Sequence, residues 1–273
     1  MRSEYIAGVA RAQRVAREAI LTVAATVRPG DSERAVVDRI EHELAKAKVR
    51  HWLHTAYAWW GERTRFDRFR IWETSALPSE RRLAEGEAFI LDVAPIVDGH
   101  PADFAYSGFG SSSDAASQPG AARHSELLRA LAEIKSGLLL HARQAVDGGD
   151  LWGRVADEIT RRDLDVIHTR YPAAVLGHTF EGFPNAFSSA PRIGSGFQLP
   201  LLLTYGMGIV LHHLSGARYP FLNATAPGAP SGLYAVEPHL GSGQMGAKFE
   251  SVLLVQGDET RWLDPELFGQ VQG

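Results

Sequence analysis

Residues 86–110, GEAFILDVAPIVDGHPADFAYSGFG, decide the fold. Residues 88–97 are apolar and rich in strand formers, and Asp98-Gly99 follows them. An Asp-Gly pair suits a two-residue type I′ turn, which needs positive φ at both central positions. That turn sets Val97 opposite His100 and Asp92 opposite Ala105. Asp103 lies two residues from Ala105, so it points to the same side. Asp92 and Asp103 then share one sheet face as diagonal neighbours, about 7–8 Å apart at the backbone. Two carboxylates among apolar neighbours need a compensating cation or a shared proton. The plainer alternative is a pair of acids on an exposed hairpin face.

The 273 residues carry 45% hydrophobic and 22% charged side chains, an ordinary globular balance. The length allows one large domain or two small ones. The formal net charge of −4 offers no bulk attraction to nucleic acid or an anionic membrane. Cysteine is absent, which excludes disulfides and thiolate chemistry. The opening MRSEYIAGVARAQR carries charges throughout and has no signal-peptide apolar block. No run approaches the ~20 apolar residues of a membrane span. The expectation is a cytoplasmic protein without nucleic-acid or membrane partners.

Residues 4–27 have helical spacing, with Ile6, Val9, Ala10, Ala16, Ile20 and Val23 on one face. Arg28-Pro29-Gly30 stops that helix. Asp31 or Ser32 can cap a second one reaching Lys48, with Val36, Val37, Ile40 and Leu44 on its apolar face. Residues 49–75 crowd aromatics with arginines and alternate like strands. Trp59, Trp60, Phe66, Phe69 and Trp72 are a core cluster or interface on one reading and a pocket on the other. Beyond the hairpin, helices are predicted over 125–146 and 151–162. This pair repeats the first at an offset of 119: Val36, Asp38 and Ile40 match Val155, Asp157 and Ile159. Two similar halves follow, each a helix pair and then strands. The second half's strands are expected at 174–180, 201–211, 232–237 and 247–255, with a long Gly/Pro/Ser-rich loop within 184–231.

Polar residues inside those strands join the two aspartates. Asp92, Asp103, His178, Glu237 and Glu250 make a donor set of four carboxylates and one imidazole. Such donors suit Mn²⁺, Co²⁺, Fe²⁺ or Zn²⁺, and so many carboxylates favour two ions, which can activate water near neutral pH. Each residue alone has a structural explanation: a satisfied core histidine, a strand-edge acid, a strand end before Pro238.

The order of these pieces resembles the pita-bread metallopeptidases of family M24: methionine aminopeptidase, aminopeptidase P and prolidase. Leu91-Asp92-Val93, Asp103, Gly177-His178, Val236-Glu237-Pro238 and Phe249-Glu250 before SVLLV follow the family's sequence of motifs. The resemblance covers nearly the whole chain. It implies an α+β fold of two pseudo-symmetric halves around a curved antiparallel sheet. It also implies a single domain over residues 1–273, without the separate N-terminal domain of aminopeptidase P and prolidase. The activity implied is that of a dinuclear metal-dependent hydrolase of a peptide or small amide, with Glu237 and His178 catalytic. A homodimer is compatible with this reading.

Two departures bear on activity. The family keeps a substrate-contacting His before the first Asp, where this chain has Arg70 to Thr74. It keeps another after the metal His, where Asn185 stands. His51, His54, His212 and His213 are the imidazoles available instead. His212, in GMGIVLHH, also competes with Glu237 for a ligand position. Arg70, Trp72, Asn185 and His212 are the substrate-binding candidates, Arg70 or a neighbour in 63–70 gripping a carboxylate. The alternative function is non-peptidase chemistry on a small specialised metabolite. A binding module that lost catalysis is disfavoured by the intact donor set, because unmatched buried carboxylates are costly.

Overall fold

The computed structural model describes residues 3–67, 69–70, 73–111, 120–180, 194 and 196–264. Helix α1 (Ser3–Ala24) buries Val9, Ala12, Ala16, Ile20 and Val23, the face set by their three- and four-residue spacing. Helix α2 (Glu33–Lys46) starts at Ser32, whose hydroxyl accepts from the Ala35 N–H at 3.2 Å. It buries Val36, Val37, Ile40 and Leu44. Both helices lie on the antiparallel pair β1 (His51–Trp60) and β2 (Ala88–Val97).

The hairpin takes the expected register. Strand β2 turns into β3 (His100–Pro101) and β4 (Phe104–Phe109), with Val97 opposite His100 and Asp92 opposite Ala105. Asp98 and Gly99 have φ of 48° and 78°, as a type I′ turn requires.

Helices α3 (Ala121–Gln144) and α4 (Gly148–Thr160) repeat the first pair. Only residues 145–147 join them, against 25–32 in the first pair. Residues of the second helix matched at an offset of 119 therefore sit roughly one turn out of step, still on one face. Strands β5 (Asp165–Val166), β6 (Gly177–Thr179), β7 (Phe221–Leu222), β8 (Gly232–Val236), β9 (His239–Ser242), β10 (Met245–Lys248), β11 (Ser251–Gln256) and β12 (Glu259–Trp262) build two further sheets. Their orders are β12-β11-β8-β6-β7 and β10-β9-β5.

One core lies under each helix pair: Ile20, Ile40, Leu91 and Phe104 in the first, Ile134, Val155, Val236 and Leu253 in the second. A third mixes the two halves, packing Val9, Leu53 and Ala94 with Leu233, Ala235 and Val252. The halves also meet through the backbone. Ala105 bridges Glu250 in antiparallel fashion. The Ser107 hydroxyl donates to the Lys248 carbonyl at 2.7 Å and accepts from the Lys248 N–H at 2.8 Å.

Four expectations are corrected. Residues 201–211 are not a strand but part of helix α5 (Leu199–Ser215). The run has no period of two, is too long for a typical strand, and carries Pro200 in its first turn, where a helix tolerates it. The same helix replaces much of the loop expected within 184–231, of which 184–193 and 195 lie outside the described residues. The segment 247–255 breaks at Phe249-Glu250 into β10 and β11. Among its described residues the 49–75 region holds one strand, β1, followed by a 3₁₀ turn at Gly61–Arg65.

Candidate metal centre

Each expected ligand is set by its own element. Asp92 sits inside β2. Asp103 lies in the short gap before β4, where the buried side chain of Gln13 on α1 holds its backbone. The Gln13 amide donates to the Asp103 carbonyl at 2.7 Å and accepts from the Asp103 N–H at 3.1 Å. His178 is the middle residue of β6. Its neighbour Gly177 lies so close to β8 that a Cβ would fall 2.2 Å from the Ala235 carbonyl. Only glycine fits there, which accounts for the Gly-His pair. Glu237 follows β8, and Glu250 occupies the break between β10 and β11. All four carboxylates are buried.

The five side chains converge. His178 Nε2 lies 3.2 Å from Asp103 Oδ2, and its Nδ1 lies 2.6 Å from the Tyr205 hydroxyl. Lys248, which the sequence reading passed over, reaches into the same cluster. Its Nζ lies 2.9 Å from Asp92 Oδ2, 3.0 Å from Glu237 Oε2 and 3.2 Å from Glu250 Oε2. Its two-residue spacing from Glu250 on an extended run was the available signal. Tyr171 and Phe66 face the ammonium, with ring centroids 5.5 and 6.0 Å away.

Of the spare histidines, His54 enters the centre. Register shifts on both sides of it in β1 mark an irregular strand, which re-aims a side chain. Its Nε2 lies 3.6 Å from both Asp92 Oδ1 and Asp103 Oδ1, beyond hydrogen-bond reach. Its Nδ1 faces the Thr55 carbonyl at 2.8 Å and so carries the proton in the neutral ring. His212 does not join the cluster. It sits near the end of α5 with Nδ1 at 2.7 Å from the Ala217 carbonyl, beside a separate depression lined by Tyr219 and Pro227. Its place on a helix rather than a strand puts it there. Trp72 and Asn185 lie outside the described residues.

Burial and mutual repulsion raise the pKa of Glu237, and raise that of Glu250 well above the usual carboxylate range. Burial opposes the charge on Lys248, but Asp92 and Glu250 outweigh it and hold the ammonium charged. His54 is raised likewise: burial works against its charge, and the carboxylates of Asp103 and Asp92 prevail. Asp103 is lowered despite burial, because His178 and His54 favour its ionised form.

Above the cluster is a cavity of about 200 Å³. Its walls are largely aromatic, including Tyr57, Trp59, Phe66, Phe69 and Phe197. The aromatic run thus divides by strand parity: Trp59 faces the cavity, while Trp60 packs with Phe89 in the first core. Arg70 borders the opening and is exposed. Arg63 and Arg65 are committed elsewhere, to Glu33 at 2.7 Å and Asp165 at 2.7 Å.

Residues 7–257 match the model of metallopeptidase family M24. The chain belongs to metallopeptidase family M24. No curated protein sequence compared with it gives a significant match. Among solved structures, the X-Pro aminopeptidase of Thermotoga maritima superposes with a TM-score of 0.66 at 14% identity, over 96% of this chain and 61% of its own. The prolidase of Pyrococcus horikoshii gives 0.67 at 13%, over 96% and 62%. The methionine aminopeptidase of Rickettsia prowazekii gives 0.61 at 12%, over 96% and 98%. The chain therefore spans about three-fifths of the first two relatives. At these identities the likeness is one of fold: the α+β pita-bread fold of M24 enzymes. Two donor groups are compact enough for a cation of the kind this family uses: His54 with Asp92 and Asp103, and Asp103 with His178 and Glu250. Asp92 Oδ1 and Asp103 Oδ1 are buried and accept no hydrogen bond among the described residues, as expected of atoms awaiting an ion. The donors fit a divalent metal.

Proposed function

We propose that this M24 protein is a metal-dependent hydrolase of a peptide or small amide with a bulky apolar group beside the scissile bond. One observation carries the reading: four buried carboxylates and two imidazoles converge at the floor of an aromatic cavity. A divalent ion held by His54, Asp92 and Asp103 would supply Lewis acidity toward a carbonyl oxygen. The chain's own groups do the rest. Glu237, with its raised pKa, takes a proton from an attacking water and passes it to the leaving nitrogen. Tyr205 and Asp103 fix the ring of His178 from either side. The aromatic walls bind the substrate's apolar part and exclude water, and Arg70 receives a carboxylate at the opening.

A panel of amides and short peptides, methionyl and Xaa-Pro substrates included, tests this on protein loaded with Mn²⁺, Co²⁺, Fe²⁺ or Zn²⁺. Hydrolysis is expected to favour substrates with aromatic or branched side chains. Absence of hydrolysis across the panel, with metal content verified, would overturn the reading.

The second reading is non-peptidase chemistry on a small specialised metabolite. It is favoured by the source of the added imidazole: His54 comes from β1 and not from the Arg70–Thr74 stretch. Its mark would be metal binding without amide turnover.

A further inference from the structure

We infer that the centre holds one divalent ion, among His54, Asp92 and Asp103, and that the ammonium of Lys248 stands in place of a second cation among Asp92, Glu237 and Glu250. This rests on the metal-dependent reading above.

The first ground is what Lys248 uses. An ammonium has three N–H donors. Here it donates to Asp92 Oδ2 at 2.9 Å and Glu237 Oε2 at 3.0 Å and ion-pairs with Glu250 Oε2 at 3.2 Å, so three carboxylates surround it. The side chain is 2% exposed, and the Ser107 hydroxyl grips its backbone on both sides. The ammonium thus has neither an exit nor slack in its strand. A second metal among these oxygens would have to share the space that it fills.

The second ground is what remains free. Of the compact donor group Asp103, His178 and Glu250, Asp103 Oδ2 faces His178 Nε2 at 3.2 Å and Glu250 Oε2 faces Lys248. Asp92 Oδ1 and Asp103 Oδ1 have no such partner among the described residues, and both face His54 Nε2 at 3.6 Å. Donors each ~2.1 Å from one ion at tetrahedral or wider angles lie roughly 3.4–3.6 Å apart. The His54 ring presents Nε2 without a proton when Nδ1 donates to the Thr55 carbonyl at 2.8 Å, the tautomer a metal ligand needs. Charge agrees: one ammonium and one divalent ion cancel most of four carboxylates.

The test counts ions. Stripped full-length protein is reloaded with excess Mn²⁺ or Zn²⁺, freed of unbound metal, and analysed by elemental mass spectrometry. Titration calorimetry gives the dissociation constants. Wild type is expected to retain one ion per chain, and its Mn²⁺ form to give the electron paramagnetic resonance spectrum of isolated ions. Two ions, or an exchange-coupled spectrum, would overturn the inference and leave the proposed function standing. No ion at all would overturn both. Lys248→Gln, if folded by circular dichroism, is expected to bind a second ion; failure to do so counts against the inference. His54→Ala is expected to weaken the single ion more than tenfold. Unchanged affinity there, with loss in His178→Ala, would place the ion elsewhere. Should Lys248→Gln not fold, the wild-type count and spectrum decide.

Discussion

Gln13 shows how far a ligand's position depends on a residue that touches no metal. Its amide forms two buried hydrogen bonds with the backbone of Asp103, outside any strand ladder. Gln13→Ala leaves a buried N–H and carbonyl without partners, each costing ~1–3 kcal/mol. The expected outcome is a loss of about 2–4 kcal/mol in urea unfolding together with weaker metal binding. An unchanged urea midpoint would refute it. Asp103→Ala should retain far less metal than wild type, and equal content would remove Asp103 from the centre. Legibility at these positions was uneven. Asp92, Asp103, His178, Glu237 and Glu250 stand in motifs whose order can be read directly. Lys248 could have been found from its two-residue spacing to Glu250, but a lysine on a strand is usually solvated. His54 was one of four spare imidazoles, and nothing in the sequence singled it out, because the irregularity that aims it into the centre leaves no turn residue or glycine as a mark.

The hairpin is the element on which the centre's geometry depends. Its register was legible because an Asp-Gly turn and a period of two leave one alignment that puts both aspartates on one side. Gly99 has a φ of 78°. Gly99→Val places a β-branched residue where left-handed backbone costs roughly 1–2 kcal/mol. Stability is expected to fall by about that amount in chemical denaturation, with the metal count per folded chain unchanged, since the ladder from β2 to β4 still sets Asp92 against Ala105. A larger loss, accompanied by loss of metal, would mean that the turn and not the ladder holds the register. Helix α5 was misread for the opposite reason. Leu203, Met207, Val210, Leu211 and Leu214 are exposed on it, so its apolar residues do not mark a buried face, and hydropathy alone cannot separate helix from strand.

Across the fold, buried basic groups outside the carboxylate cluster set a dependence on pH. Burial lowers the pKa of His124 and of His168 to about 4, and that of Lys135 to about 7. Between pH 4 and 6.5 the unfolded chain binds more protons at each histidine, so acid pulls toward unfolding. Stability should fall as pH drops through that window, by up to about 3 kcal/mol per histidine. Lys135 adds a gentler rise in stability from pH 7 toward 10 by the same sign. Urea midpoints measured from pH 4.5 to 9 check both slopes; a flat profile below pH 6.5 would refute the histidine part. Removing metal should also lower the melting temperature, because the carboxylates repel one another without it and an ion at a hundred times its Kd adds ~2.7 kcal/mol. An unchanged melt after verified metal loss would refute that. The ion pair between Lys248 and Asp92 has a separate consequence. It joins strands from the two halves across 156 residues of sequence. A cation fixed covalently to the chain cannot be chelated, so it acts as a clasp that stays shut when metal is stripped. The metal-free protein should therefore still melt in one cooperative calorimetric transition, at a lower temperature, whereas Lys248→Met should let the halves come apart in two.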